Sequence, residues 1–166
     1  MVKLPAQLEK DAAYQAAGKD YIESAFKDPA YKRFETVIMQ AFDGMPVHSK
    51  SGVTAPAEQR VYELRSYESP SEKRYLNKVK MFDSGEIDIF RKLDFNPVFF
   101  AKVIAGSKMP NLMYMTTFQD RATRDARWKA FGSDPDWGKL KVMPEYQDNM
   151  NKLQIIFLRP TDYSDL

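Results

Sequence analysis

An α+β domain, with two helices on one face of an antiparallel sheet, is what the sequence predicts from residue 60 onward. Two observations carry the prediction. Apolar runs, helix caps and proline or glycine breaks follow one another in the order strand, helix, strand, strand, helix, strand. Three of the four strand segments are also apolar on both faces, as strands are when neither face meets water. A β-α-β-β-α-β order is the ferredoxin-like arrangement.

The elements follow from local chemistry. Residues 61–67, Val-Tyr-Glu-Leu-Arg-Ser-Tyr, read as the first strand. Ser69 is the expected N-cap of the first helix, with Pro70 at the first helical position and Glu72 three residues on from the cap. That helix is expected to bury Leu76, Val79, Phe82, Ile87, Phe90 and Leu93. Gly85 inside it costs roughly 1 kcal/mol against alanine, which suggests a close approach to the backbone there. Phe95-Asn96-Pro97 ends the helix, and residues 98–104 and 111–118 are the next two strands, joined by a turn over residues 106–110. Asp120 caps a second helix running to about residue 131, and Asp134-Pro135 breaks it. A short helical piece is expected over residues 137–142, and residues 153–158 form the last strand.

Strand alternation places Leu112, Tyr114 and Phe118 opposite Met113 and Met115. It sets Leu153, Ile155 and Phe157 against Ile156 and Leu158, and Phe99, Ala101 and Val103 against Val98, Phe100 and Ile104. Two helices cover one sheet face. The other calls for a second sheet, from a partner subunit or a sister domain.

Ahead of this domain, residues 6–17 are alanine-rich with Leu8, Ala12 and Ala16 at helical spacing and Gly18 as a stop. Asp28-Pro29 is a turn. In residues 33–42, Phe34, Ile38 and Phe42 fit a helical face while Glu35-Thr36-Val37-Ile38-Met39 favours a strand, and the pattern does not choose. Gly44-Met45-Pro46, Ser49-Lys50-Ser51-Gly52 and Ala55-Pro56 mark residues 44–59 as a linker between residues 1–43 and the domain at 60–166.

Composition excludes several chemistries. The chain of 166 residues has no cysteine, so disulfides, thiolate catalysis and iron–sulfur ligation are absent. His48 is the one histidine and lies in the linker, so no metal site is expected. Glycines are scattered without a phosphate-cradling loop, no serine sits in a nucleophile motif, and no other cofactor is implied. A formal charge of +2 and aromatics without a basic stripe argue against nucleic acid. No apolar run reaches the length of a membrane span. The first residues carry no export signal, which makes a cytoplasmic setting the default unless an upstream segment has been removed.

Several motifs resemble the NIPSNAP family: Tyr62-Glu63-Leu64-Arg65-Ser66-Tyr67, Met81-Phe82 with Gly85-Glu86 and Ile89-Phe90, and Pro97-Val98-Phe99-Phe100. Met109-Pro110-Asn111-Leu112-Met113-Tyr114-Met115, Arg124 with Trp128 and Phe131, Asp134-Pro135-Asp136-Trp137, and the terminal Pro160-Thr161-Asp162-Tyr163-Ser164 extend the match over residues 60–166. The resemblance implies a dimeric α+β barrel, two ferredoxin-like sheets packed face to face, and no settled activity. It also implies tandem units. Asp28-Pro29-Ala30-Tyr31 before residues 33–42 echoes Asp134-Pro135-Asp136-Trp137 before the last strand, so residues 1–43 are read as a partial ferredoxin-like unit.

Five residues are the candidate ligand site: Glu63, Arg65, Tyr67, Glu86 and Tyr114. Glu63 and Arg65 share a strand face, and with Tyr62 and Leu64 assigned to the helices they are expected to point into the barrel. They have two readings, a carboxylate base beside a guanidinium fork for a polar ligand, or an ion pair satisfied within the sheet or across a subunit boundary. Glu86 either turns into a cleft near Tyr67 or lies on a solvated helix face, and Tyr114 is either pocket wall or sheet core. The expected function is small-molecule binding in the barrel or cleft of a homo-oligomer built through the sheet face. The alternatives are a cofactor-free oxygenase or isomerase, by analogy of fold, and a non-catalytic assembly module. No residue is assigned a catalytic role.

Overall fold

The computed structural model describes residues 3–165, which divide into two compact units, one up to Thr36 and the other from Val37. In the first unit, three short helices, α1 (Leu4–Leu8), α2 (Ala12–Ala17) and α3 (Lys19–Ile22), replace the single helix expected over residues 6–17. The break arises because Asp11 caps a new helix, its carboxylate accepting from the Tyr14 amide at 3.0 Å. None of the three helices buries a residue. Tyr21, Tyr31 and Phe34 make ring contacts among themselves.

The second unit holds one five-stranded sheet in the order β1-β3-β4-β2-β5. Its strands are β1 (Ile38–Ala41), β2 (Val61–Glu68), β3 (Pro97–Ala105), β4 (Asn111–Phe118) and β5 (Lys152–Leu158). Every pairing is antiparallel. Without β1 the order is that of a ferredoxin-like sheet, as expected. The open question over residues 33–42 resolves to a strand four residues long, which pairs with β3 and so lies in the sheet of the second unit.

The chain between β1 and β2 has no regular structure yet is fastened at several points. Phe42, Met45 and Val53 are buried. Ser51 Oγ bonds to Thr117 Oγ1 at 2.9 Å, and the Thr54 and Ala55 amides donate to the Gln119 side chain. At Gly44 a Cβ would meet the Asp83 carboxylate at 2.8 Å, and the Gly44 amide donates to that carboxylate, so the residue is glycine for lack of space. These residues form a strap, with His48 exposed along it.

The first helix of the domain departs from expectation at its start. The N-cap of α4 (Glu72–Met81) is Ser71, whose side chain accepts from the Arg74 amide. Ser69 instead follows directly on β2, its amide bonded to the Pro110 carbonyl. A kink over Phe82–Glu86, where the backbone at Gly85 is non-helical, joins α4 to α5 (Ile87–Lys92). Leu140 comes to 3.6 Å of a Cβ placed at Gly85, an ordinary contact, so no close approach requires that glycine. Leu76 is 56% exposed rather than buried, and Tyr75, Lys78 and Met81 take the inward face. Asp120 caps α6 (Arg121–Ser133) as expected, accepting from the Thr123 amide at 2.7 Å. The following short helix, α7, spans Pro135–Leu140.

The core lies between the sheet and α4, α5 and α6. Phe42, Phe82, Phe90, Phe95, Phe100, Leu112 and Tyr114 are wholly enclosed there, with neighbouring rings about 5–6 Å apart. A second cluster, Tyr62, Val98 and Met115 with Leu64 and Phe99, forms on the other sheet face. Val98 joins that face because the register shifts between Pro97 and Phe99, which corrects its expected placement opposite Phe99.

Candidate functional site

A polar network is built into the helix side of the sheet. Tyr67 and Tyr114 belong to the core beneath the helices, and Glu63 and Arg65 alternate with Tyr67 along the same face of β2. The expectation that Glu63 and Arg65 point into a barrel is therefore corrected. Tyr62 and Leu64 take the opposite face, and the charged pair meets α6.

Glu63 has no exposed surface, and four donor groups surround its carboxylate. Oε1 accepts from Arg65 Nε at 2.5 Å and from an Arg124 terminal nitrogen at 2.9 Å. Oε2 accepts from Arg124 Nε at 2.6 Å and Trp128 Nε1 at 3.0 Å. Burial by itself raises the Glu63 pKa, but the hydrogen bonds from Arg124 and the charge of Arg65 outweigh it and hold the carboxyl below its usual value. The Arg65 guanidinium lies 3.6 Å over the Trp128 ring and donates to the Tyr67 hydroxyl at 3.1 Å. Burial opposes its charge, and the neighbouring Tyr114, Tyr67 and Glu63 oxygens more than offset that. Tyr67 and Tyr114 share a hydrogen bond of 2.7 Å, and burial raises the Tyr114 pKa well above that of a free phenol.

Glu86 belongs to a second buried pair. Lys78 Nζ donates to Glu86 Oε2 at 2.7 Å and lies 3.3 Å from Met81 Sδ. The same ammonium stands 4.7 Å from the Phe82 ring and 5.9 Å from the Tyr67 ring. In a regular α-helix residues eight apart diverge by about 80°. The kink over Phe82–Glu86 breaks that regular progression, and the two charges come together across it. Both readings of Glu86 thus give way to a third: it is near Tyr67, but enclosed and paired.

All five candidate residues are buried in this interior. Sequence reasoning missed Arg124 and Lys78 as charge partners and gave Trp128 no polar role. Arg124 and Trp128 stand four apart on α6 and so present one face, which is the signal that was available. Lys78 lies on the inward face of α4 between Tyr75 and Met81, a position where a lysine needs an acid. Chemically, the network fixes two phenols and a guanidinium in place. Among the described residues no group of three or more His, Cys, Asp or Glu is placed to hold a metal.

This fold and interior define a ferredoxin-like α+β domain with a charged network locked under its helices. The family model for NIPSNAP matches residues 62–165, and the chain belongs to the NIPSNAP family. Three solved structures share the fold. A NIPSNAP-like domain protein from Burkholderia xenovorans is 16% identical with a TM-score of 0.58, covering 65% of this chain and 90% of its own. A NIPSNAP family protein of unknown function from Agrobacterium tumefaciens is 17% identical, with a TM-score of 0.59 over 69% of this chain and 99% of that one. Another from A. tumefaciens is 19% identical, at 0.57 over 64% and 98%. No curated protein matches the chain. Among the described residues no helix is long and apolar enough to cross a membrane.

Proposed function

We propose that this NIPSNAP chain is a homo-oligomeric binding protein, in which the open sheet faces of two copies pack together and hold a small apolar molecule between them. The open face is the observation that supports it. Leu64, Phe99, Met113 and Ile156 are half-buried along it, and Leu158 beside them is 40% exposed. By register, the charges at the open-face positions of β2, β4 and β5 are Glu68 and Lys152, paired at 3.5 Å at one end, where Lys108 also reaches in to bond Gln154 at 2.6 Å. A face whose centre is apolar, with its charges gathered at one end, meets its own copy about a twofold axis with little repulsion. The Tyr62 hydroxyl beneath this face is buried and has no hydrogen-bond partner among the described residues.

In this reading Glu63, Arg65, Tyr67, Glu86 and Tyr114 hold the sheet rigid from behind. Ligand contacts fall to Tyr62, Leu64, Met113 and Met115.

Sedimentation velocity tests the assembly. The wild-type chain should sediment at twice its 19.2 kDa, and Leu64→Glu should sediment as a monomer with an unchanged circular dichroism spectrum. A wild-type monomer at every concentration tried removes the proposal. Native mass spectrometry of the dimer should show a retained small mass or uptake of an added apolar compound. A dimer that does neither retains the assembly and discards the ligand.

A further inference from the structure

At the free edge of the sheet a cleft of about 260 Å³ opens where the start of β2, the first turn of α6 and the end of β5 meet. Arg60, Arg121 and Arg159 stand around it, over Val61, Phe157 and Leu158, and no carboxylate lines it. The three guanidinium groups are poorly compensated. Arg60 donates through Nε to the Ala55 carbonyl at 2.6 Å, a neutral partner. Arg121 approaches Asp125 at 3.4 Å, while that carboxylate lies closer to Arg124, at 2.8 Å. Arg159 is exposed and has no ion pair among the described residues.

The apolar floor is uncovered. Phe157 is 43% exposed, although the guanidinium of Arg121 lies 4.1 Å and that of Arg124 5.3 Å from its ring centroid. Three converging cations repel one another, and an anion between them relieves that repulsion. Guanidinium forks match the oxygens of a carboxylate or phosphate. The thirteen-residue α6 begins at Arg121 and adds the partial positive charge of its N-terminus, part of which Asp120 offsets as the cap. An exposed aromatic ring favours an apolar group on the same molecule.

The geometry points to a binding site for a small amphiphilic anion, its phosphate or carboxylate held by Arg60, Arg121 and Arg159 and its aromatic or short acyl group laid on Phe157. The cleft is smaller than the range typical of drug-sized ligands, about 300–1,000 Å³, so a single ring or short chain fills it. This site is separate from the open sheet face and does not depend on self-association.

Methyl NMR on protein labelled at valine and leucine tests it, with phenyl phosphate, benzoate, inorganic phosphate and benzyl alcohol as probes. Phenyl phosphate or benzoate should shift the Val61 methyls saturably, and whichever binds more tightly identifies the head group. That probe should bind about tenfold more tightly than inorganic phosphate or benzyl alcohol, because each of those supplies only half of the contact. Arg121→Gln and Arg159→Gln should each weaken it about tenfold, the scale of one charged hydrogen bond, and added salt should weaken it further. Arg159→Gln removes no hydrogen bond or ion pair that the described residues make, so it carries the test if Arg121→Gln disturbs the start of α6. Equal affinity for phenyl phosphate and inorganic phosphate, shifts confined to other methyls, or full affinity in Arg159→Gln would each overturn the assignment.

Discussion

Glu63 shows how a residue can be picked out for the right chemistry and put on the wrong side. Its spacing from Arg65 was plain in β2, but Val61 and Tyr67 are as apolar as Tyr62 and Leu64, so alternation offered no way to choose the face under the helices. What decides it is Arg124 and Trp128, some sixty residues away, and no local pattern reports that distance. Their bonds make a firm prediction. Glu63→Gln keeps the shape but leaves the buried Arg65 guanidinium without a counter-charge, while Arg124 keeps Asp125, and such a loss costs about 3–5 kcal/mol. Because the folded carboxyl titrates below its usual value of 4.5, its contribution is complete above that pH and is lost as pH falls through the lower, folded value. Urea melts from neutral pH downward check both statements. Glu63→Gln should be much less stable at neutral pH, and the gap to wild type should narrow below pH 4.5. A gap that stays constant across that range would show that the carboxylate charge is not what the network uses.

At the scale of elements, the punctuation was legible where one residue settled it and misleading where two competed. The third strand of the domain was bounded correctly by Pro110 before it and the Asp120 cap after it. At the start of α4 two serines stand two residues apart, each near a proline or an acid, and either could serve as cap. The competition is decided by β2, which runs on to Glu68 because β4 and β5 pair with it that far. Ser69 is thereby drawn to Pro110, and its hydroxyl is left buried without a partner. The two alanine variants should therefore differ in sign or size. Ser71→Ala removes the cap and should cost about 1 kcal/mol. Ser69→Ala removes an unsatisfied hydroxyl and should be neutral or mildly stabilising. Chemical denaturation of the two side by side checks this, and a larger loss at Ser69 would mean that its hydroxyl has a partner after all. The strap was read as a linker for a related reason. Its glycines, prolines and serines do exclude helix and strand, but side-chain bonds to Thr117 and Gln119 and the burial of Phe42, Met45 and Val53 are tertiary facts that composition does not carry.

For the whole molecule, the two-sided apolarity of the strands was the most legible feature, and it survives in the folded chain as two separate clusters on either side of one sheet. The strap and the edge strand β1 were not foreseen as parts of that sheet, because a four-residue strand in a polar stretch barely registers beside its neighbours. On the open face the strap has a definite position: Ser51 bonds to Thr117, which pairs with Tyr62 and so marks one end of the face. The apolar area left for a second copy is centred on Leu64, Met113 and Ile156. If two copies meet there, folding and association are one equilibrium, and raising protein concentration stabilises the folded chain by mass action. A hundredfold increase should add about 2.7 kcal/mol per dimer, seen as a rise in melting temperature by scanning calorimetry. Leu64→Glu places two like charges in that contact, so its melting temperature should stay constant over the same range. A wild-type melting temperature that is equally flat would mean that the single chain tolerates its half-buried Leu64, Phe99 and Ile156 in water, and that no second sheet is needed to cover them.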